Sequence, residues 1–137
     1  MLTPAPPAGE VGTPSAARKG RIMIVDDDPA LLDALEFALS LQGHEVVKAD
    51  SGTVAVAIAR DESLDLVLTD FKMPGMNGLE TMIAIKEQNP SIPVMIVTGF
   101  ASPEMFDDFK RHGALSVVRK PFNLSDLFAA VGQALQA

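Results

Sequence analysis

Four places in this 137-residue chain carry side chains that could do chemistry together: Asp26-Asp27, Asp70, Thr98 and Lys120. Carboxylates, one hydroxyl and one ammonium form a set suited to magnesium and phosphoryl groups. Mg2+ is a hard cation that takes a few carboxylates, waters and a substrate phosphate. Crowded carboxylates repel and raise one another's pKa, and a divalent cation relieves that repulsion. A carboxylate kept ionised can attack phosphorus and form an aspartyl phosphate. Such a transfer asks the protein mainly for positioning and charge stabilisation. Lys120 would neutralise phosphoryl oxygens and the Thr98 hydroxyl would donate a hydrogen bond to one of them.

Each residue also has a plainer role when taken alone. Acids in Asp26-Asp27-Asp28 could oppose a helix dipole, and for Asp28 that is the better reading. Asp70 could form a turn before Pro74-Gly75. Thr98 stands beside a glycine, and Lys120 could be a solvated lysine. These roles do not explain why all of them follow short apolar runs. Ile22–Val25, Asp65–Thr69, Pro93–Val97 and Leu115–Val118 precede them and read as strands buried on both faces. In an open parallel sheet, ligands bind at the carboxyl ends of the strands, where the strand order reverses. That edge is where these residues fall.

The elements between the strands are helical. Asp28-Pro29 is an N-cap followed by proline, with Leu31, Leu32, Leu35, Ala38 and Leu39 as a stripe and Gly43 as a stop. Glu45–Ala49 is a weaker strand. Ser51-Gly52 opens a helix to about Asp61, with Val54, Ile58 and several alanines expected on its packing face. Asn77 caps a third helix through Leu79, Met82 and Ile85. Ser102-Pro103-Glu104 opens a fourth, ending at Gly113, and a fifth runs from about Asn123. Five strands alternating with five helices predict an α/β doubly wound parallel sheet with helices on both faces. Residues 1–20, rich in Pro, Ala and Gly, read as a disordered tail, and residues 21–137 as one domain. The last helix reaches the end of the chain, so a stand-alone domain is expected.

Composition narrows the function further. The net charge of −7 and the lack of Trp and Tyr argue against nucleic-acid binding through a basic field or stacking platform. No apolar run approaches the roughly 20 residues of a membrane span. There is no cysteine, hence no disulfide or thiolate metal site. A cytoplasmic protein is expected. His44 and His112 are isolated and read as surface or capping residues. Phe106 and Phe109 share a helical face, where at least one should pack in the core. No glycine-rich phosphate loop is present.

Over residues 21–136 the motifs Ile24-Val25-Asp26-Asp27, Leu68-Thr69-Asp70, Met73-Pro74-Gly75-Met76-Asn77-Gly78, Val97-Thr98-Gly99 and Lys120-Pro121-Phe122 resemble the receiver domain of two-component response regulators. The resemblance implies a flavodoxin-like (βα)5 fold with strand order 2-1-3-4-5. It implies Asp70 as phosphoacceptor, with Thr98 and Lys120 on the phosphoryl group. It implies Mg2+ held by Asp27, by Asp26 directly or through water, by Asp70, and by the backbone carbonyl of Lys72. A sensor histidine kinase or histidine phosphotransfer protein is the implied donor. Phosphorylation would shift a two-state equilibrium read by a protein target on the fourth helix, fifth strand and fifth helix. Monomer and phosphorylation-dependent dimer both fit.

Two features depart from the commonest pattern. Val117 stands where the fifth strand often carries an aromatic residue. Lys72 and Phe100 each lie two residues past a site residue, where side chains govern water access. Two other readings compete. One is a Mg2+-dependent phosphohydrolase, which normally needs a dedicated acid/base and a cap. The other is a receiver-like interaction module that takes no phosphate, against which the complete residue set argues. A non-enzymatic switch is the expectation.

Overall fold

Ile22, Met23, Ile24 and Val25 are at most 2% exposed. They alternate between two apolar clusters, Met23 and Val25 in one and Ile22 and Ile24 in the other. A strand covered on both faces has no use for polar alternation, which is why the sequence shows none. The computed structural model describes residues 19–99 and 101–136. Residues 1–18 of the expected tail, and Phe100, lie outside the described residues.

The elements are β1 (Arg21–Val25), α1 (Pro29–Leu41), β2 (Glu45–Ala49), α2 (Gly52–Asp61), β3 (Leu66–Asp70), α3 (Gly78–Gln88), β4 (Val94–Thr98), α4 (Pro103–Arg111), β5 (Ser116–Arg119) and α5 (Leu124–Gln136). The strands are parallel, in the order β2-β1-β3-β4-β5. Helices α1 and α5 cover one face through Leu32, Leu35, Leu39, Leu127 and Val131. Helices α2, α3 and α4 cover the other through Ala55, Met82, Ile85 and Phe109. Each fully buried Leu, Ile or Phe stabilises the fold by about 1.5–3 kcal/mol.

Local chemistry starts and stops the helices. The Asp28 carboxylate accepts from the N–H groups of Ala30 and Leu31 at 3.0 and 3.4 Å, so Asp28 is the cap of α1. Asn77 and Glu80 form a reciprocal capping box on α3, with both bonds at 2.9 Å. Gly43 and Gly113 follow α1 and α4 with φ of 93° and 105°, a region that other residues reach only with strain.

Several expectations need correction. Val54 is 41% exposed and leaves the packing face of α2 to Gly52 and Ala55, with Ile58 and Ala59 packed against the core as expected. The cause is close packing on α3: a Cβ at Gly52 would lie 2.2 Å from Thr81 Oγ1. Asp65 and Leu115 stand just before their strands. His44 is half-buried, and its Nδ1 accepts the Gly20 N–H at 3.2 Å. Lys19 and Gly20, assigned by sequence to the tail, are fastened to the fold: Lys19 Nζ donates to the Gln42 carbonyl at 2.8 Å, and Gly20 is buried. The expectation that at least one of Phe106 and Phe109 packs in the core holds: Phe109 is buried against Phe71, with ring centroids 5.2 Å apart, and Phe106 is half-buried.

Candidate functional site

The strand order reverses between β1 and β3, because the chain leaves β1 toward β2 and returns on its other side. Val25 pairs with Thr69 in that register. The next residues along the two strands are Asp26 and Asp70, so two carboxylates meet at the reversal. β4 brings Thr98 beside them, and β5, whose Arg119 pairs with Thr98, delivers Lys120 one step later. The Lys120 N–H donates to the Thr98 carbonyl at 2.8 Å, and the Lys120–Pro121 bond is cis.

The ammonium of Lys120 lies 3.2 Å from Asp26 Oδ2 and 3.3 Å from Asp70 Oδ1. Asp26 is 5% exposed and held at both ends of its residue. Its N–H donates to the Ala49 carbonyl at 3.1 Å, and its Oδ1 accepts the Asp28 N–H at 3.0 Å. Asp70 is 9% exposed, and its Oδ1 also accepts the Phe71 N–H at 3.0 Å. Asp27 is exposed. Oxygens from Asp26, Asp27 and Asp70 lie within 4.8 Å of one another. Thr98 is buried beneath this edge at 3% exposure, and Lys72 is exposed on the loop after Asp70.

Charge is out of balance here. Burial, and then the neighbouring Asp26 charge, push the Asp70 carboxyl above the ordinary range, and Lys120 only partly offsets this. Burial alone would lower the Lys120 pKa, but Asp70 and Asp26 outweigh it, so the net shift is upward and the ammonium stays charged. Three hard oxygen donors facing one ammonium fit a small divalent cation.

The sequence reading brought Asp26, Asp27, Asp70, Thr98 and Lys120 to one edge, and the fold places all of them there. It missed two supports. Gly78 entered the sequence reading only as the last residue of the Met73–Gly78 motif, yet a Cβ on it would lie 2.2 Å from the Asp70 carbonyl oxygen. Its N–H donates to the Phe71 carbonyl at 2.8 Å, so the start of α3 braces the end of β3. The signal was available as a glycine directly after a capping Asn. Arg119, beside Lys120, was also passed over.

Known proteins agree with this architecture. The family model described as the response regulator receiver domain matches residues 22–132. The response regulator protein FleR of Pseudomonas aeruginosa is 36% identical over 118 residues, covering 82% of this chain and 25% of that protein. The transcriptional regulatory protein ZraR of Escherichia coli K12 is 38% identical over 114 residues, covering 83% and 26%. A CheY-like receiver domain from Methanospirillum hungatei superposes with a TM-score of 0.83 at 34% identity, over 87% of this chain and 95% of that one. The chain spans about a quarter of the length of the curated relatives it matches. This chain belongs to the response regulator receiver domain family of two-component signalling.

Proposed function

We propose that Asp70 accepts a phosphoryl group from a phosphohistidine on a sensor histidine kinase or histidine phosphotransfer protein. The observation that carries this reading is the Lys120 ammonium bridging Asp26 and Asp70 at 3.2 and 3.3 Å, with Asp27 as a third carboxylate. Asp27 and Asp70, Asp26 directly or through water, and the backbone carbonyl of Lys72 would hold Mg2+. Bound there, the ion supplies positive charge for the phosphoryl oxygens.

The chain's own residues do the rest. A lone pair on an Asp70 carboxylate oxygen attacks phosphorus; the P–N bond of the donor breaks, and its electron pair leaves with the imidazole. The Lys120 ammonium offsets charge that gathers on the phosphoryl oxygens, and the Thr98 hydroxyl donates to one of them. A preorganised cation costs no reorganisation at the moment of transfer. The switch is then read by a protein target on the α4–β5–α5 face, by a monomer or a phosphorylation-dependent dimer, in the cytoplasm and without direct nucleic-acid contact. The receiver domain is taken as residues 21–137, behind the Pro/Ala/Gly-rich segment. Among the described residues no helix is long and apolar enough to cross a membrane.

The test is to incubate the protein with phosphoramidate and Mg2+ and weigh it. One added phosphoryl group is expected in the wild type, and none without Mg2+ or in Asp70→Asn. No adduct in the wild type would sink the proposal in favour of a phosphate-independent module. Rapid hydrolysis of unrelated phosphomonoesters would instead mark a phosphohydrolase.

A further inference from the structure

Alternate residues of β5 face opposite layers. Val118 packs on the α1–α5 side, and Val117 packs on the other with Ala101, Met105 and Phe106. Arg119 follows Val117 by two residues and therefore shares the α4 side. Its guanidinium carbon sits 4.9 Å from the centroid of the Phe106 ring. Its Nη2 donates to the Ala101 carbonyl at 3.4 Å. One side chain thus grips both Ala101, two residues before α4, and Phe106 in the first turn of α4.

The location matters because the same stretch of β5 touches the site. The N–H of the next residue, Lys120, holds the Thr98 carbonyl, and the Lys120 ammonium bridges Asp26 and Asp70. Arg119 and Lys120 therefore fasten the end of β4 and the segment after it at one point each, Thr98 by backbone and Ala101 by side chain. Val117 gives this face of β5 no polar group and no ring. The guanidinium stacks on Phe106, and a stacked guanidinium keeps a preferred geometry that an ammonium does not reproduce.

We propose that Arg119 is a positioning residue for the reaction at Asp70: it latches the start of α4 to the end of β5 in the unphosphorylated arrangement. A phosphoryl group that draws on Thr98 and Lys120 moves both neighbours of this latch. Occupancy of Asp70 and placement of α4 then form one equilibrium, in which Arg119 favours the unphosphorylated side. The proposal rests on the phosphoacceptor reading of the site.

The experiment compares wild type with Arg119→Ala and Arg119→Lys. Phosphoramidate with Mg2+ is the donor, phosphorylation is followed by mass, and the backbone amides of residues 101–106 by NMR. Loss of an exposed cation–π contact and one hydrogen bond should speed phosphorylation about fivefold in Arg119→Ala, by raising the competent fraction. Its amides at 101–106 should move, before any donor is added, toward their phosphorylated positions. Arg119→Lys should fall between it and the wild type. Unchanged rate and unchanged resting amides in Arg119→Ala, with normal loading of Asp70, would overturn the latch and leave the site reading intact. Equal losses of thermal stability in both variants with unchanged kinetics would reduce Arg119 to a packing residue. A wild type that takes no phosphoryl group overturns the site reading itself.

Discussion

At the amino-terminal edge of the sheet, Arg21 forms ion pairs with Glu45, at 3.5 Å, and with Glu62, while its N–H donates to Asp65 at 2.8 Å. At the carboxyl-terminal edge, Lys120 pairs with Asp26 and Asp70 while Asp27 stands nearby. Both edges thus set one cation among three carboxylates. They differ in how the acids are held. Glu45 and Asp65 are exposed, so water screens their charge, and only Glu62, on a flexible stem at the end of α2, brings a covered oxygen, Oε1, to Arg21. Asp26 and Asp70 are short, nearly buried and fixed to strand ends, so their edge keeps the charge for a ligand. A count of charges would not separate the two regions; burial and side-chain length do.

The largest contrast should appear on replacing the cations. Lys120→Ala removes a fixed charge that, under the proposed function, faces the phosphoryl oxygens, an interaction whose loss costs about 10²–10³ in rate when a preorganised donor is removed from an active site. Phosphorylation by phosphoramidate, followed by mass, should fall by that order, while Arg21→Ala should leave the rate within about twofold. A comparable loss in both would break the distinction between the edges.

Gly78→Ala probes what braces the acidic edge. The added Cβ would lie 2.2 Å from the Asp70 carbonyl oxygen and 2.8 Å from Phe71 Cα, both backbone atoms that cannot swing away. Overpacking of this kind costs about 1–3 kcal/mol. A lower urea midpoint and slower phosphorylation are expected together. A stability loss with untouched phosphorylation would mean that α3 does not position Asp70.

Removing one acid should act with opposite sign at the two edges. The raised Asp70 pKa means that the folded state disfavours its ionised form. That stability is present below the ordinary value of 3.8 and is lost as pH rises through the raised one. At neutral pH and without Mg2+, Asp70→Asn should therefore raise the melting temperature. Glu62→Gln, which breaks a partly exposed ion pair, should cost under about 1 kcal/mol of stability and lower the melting temperature slightly. Mg2+ should then raise the melting temperature of the wild type more than that of Asp70→Asn. Calorimetry with and without Mg2+ reads all three; a destabilised Asp70→Asn would show that Lys120 already neutralises the edge.

The acidic edge was legible in the sequence because its residues stand directly after apolar runs, and a parallel sheet sends all such ends to one side. Strand order was legible only through family resemblance, since apolar runs carry no pairing preference of their own. The amino-terminal edge was not legible: Arg21 and Glu62 are far apart in the chain, and their meeting depends on how α2 returns to the sheet. Val54 was misplaced because α2 offers several apolar stripes, and Thr81 beside Gly52 selects the one with small residues. The contact of Arg119 with Phe106 needed the position of α4 over β5, which no local pattern encodes.

His44 provides the smallest and most local separation of the edges. It lies beside the amino-terminal edge, where its Nδ1 accepts the Gly20 N–H and Gly20 in turn accepts from Glu45 N–H at 3.0 Å. Burial, and then the charge of Lys19, lower its pKa below 6.5. A protonated Nδ1 cannot accept, so the folded state prefers the neutral ring. This contribution is complete above pH 6.5 and is lost as pH falls through the lowered folded value. Because the ring is only half-buried, screening keeps the effect under about 1 kcal/mol. Between pH 7 and 5.5 the urea midpoint should drop more in wild type than in His44→Asn, whose amide oxygen can accept at any pH. Loading of Asp70 over the same range should show no difference between the two proteins. A difference there would mean that the two edges communicate through β1, whose residues Arg21 and Val25 stand at opposite ends of one buried strand.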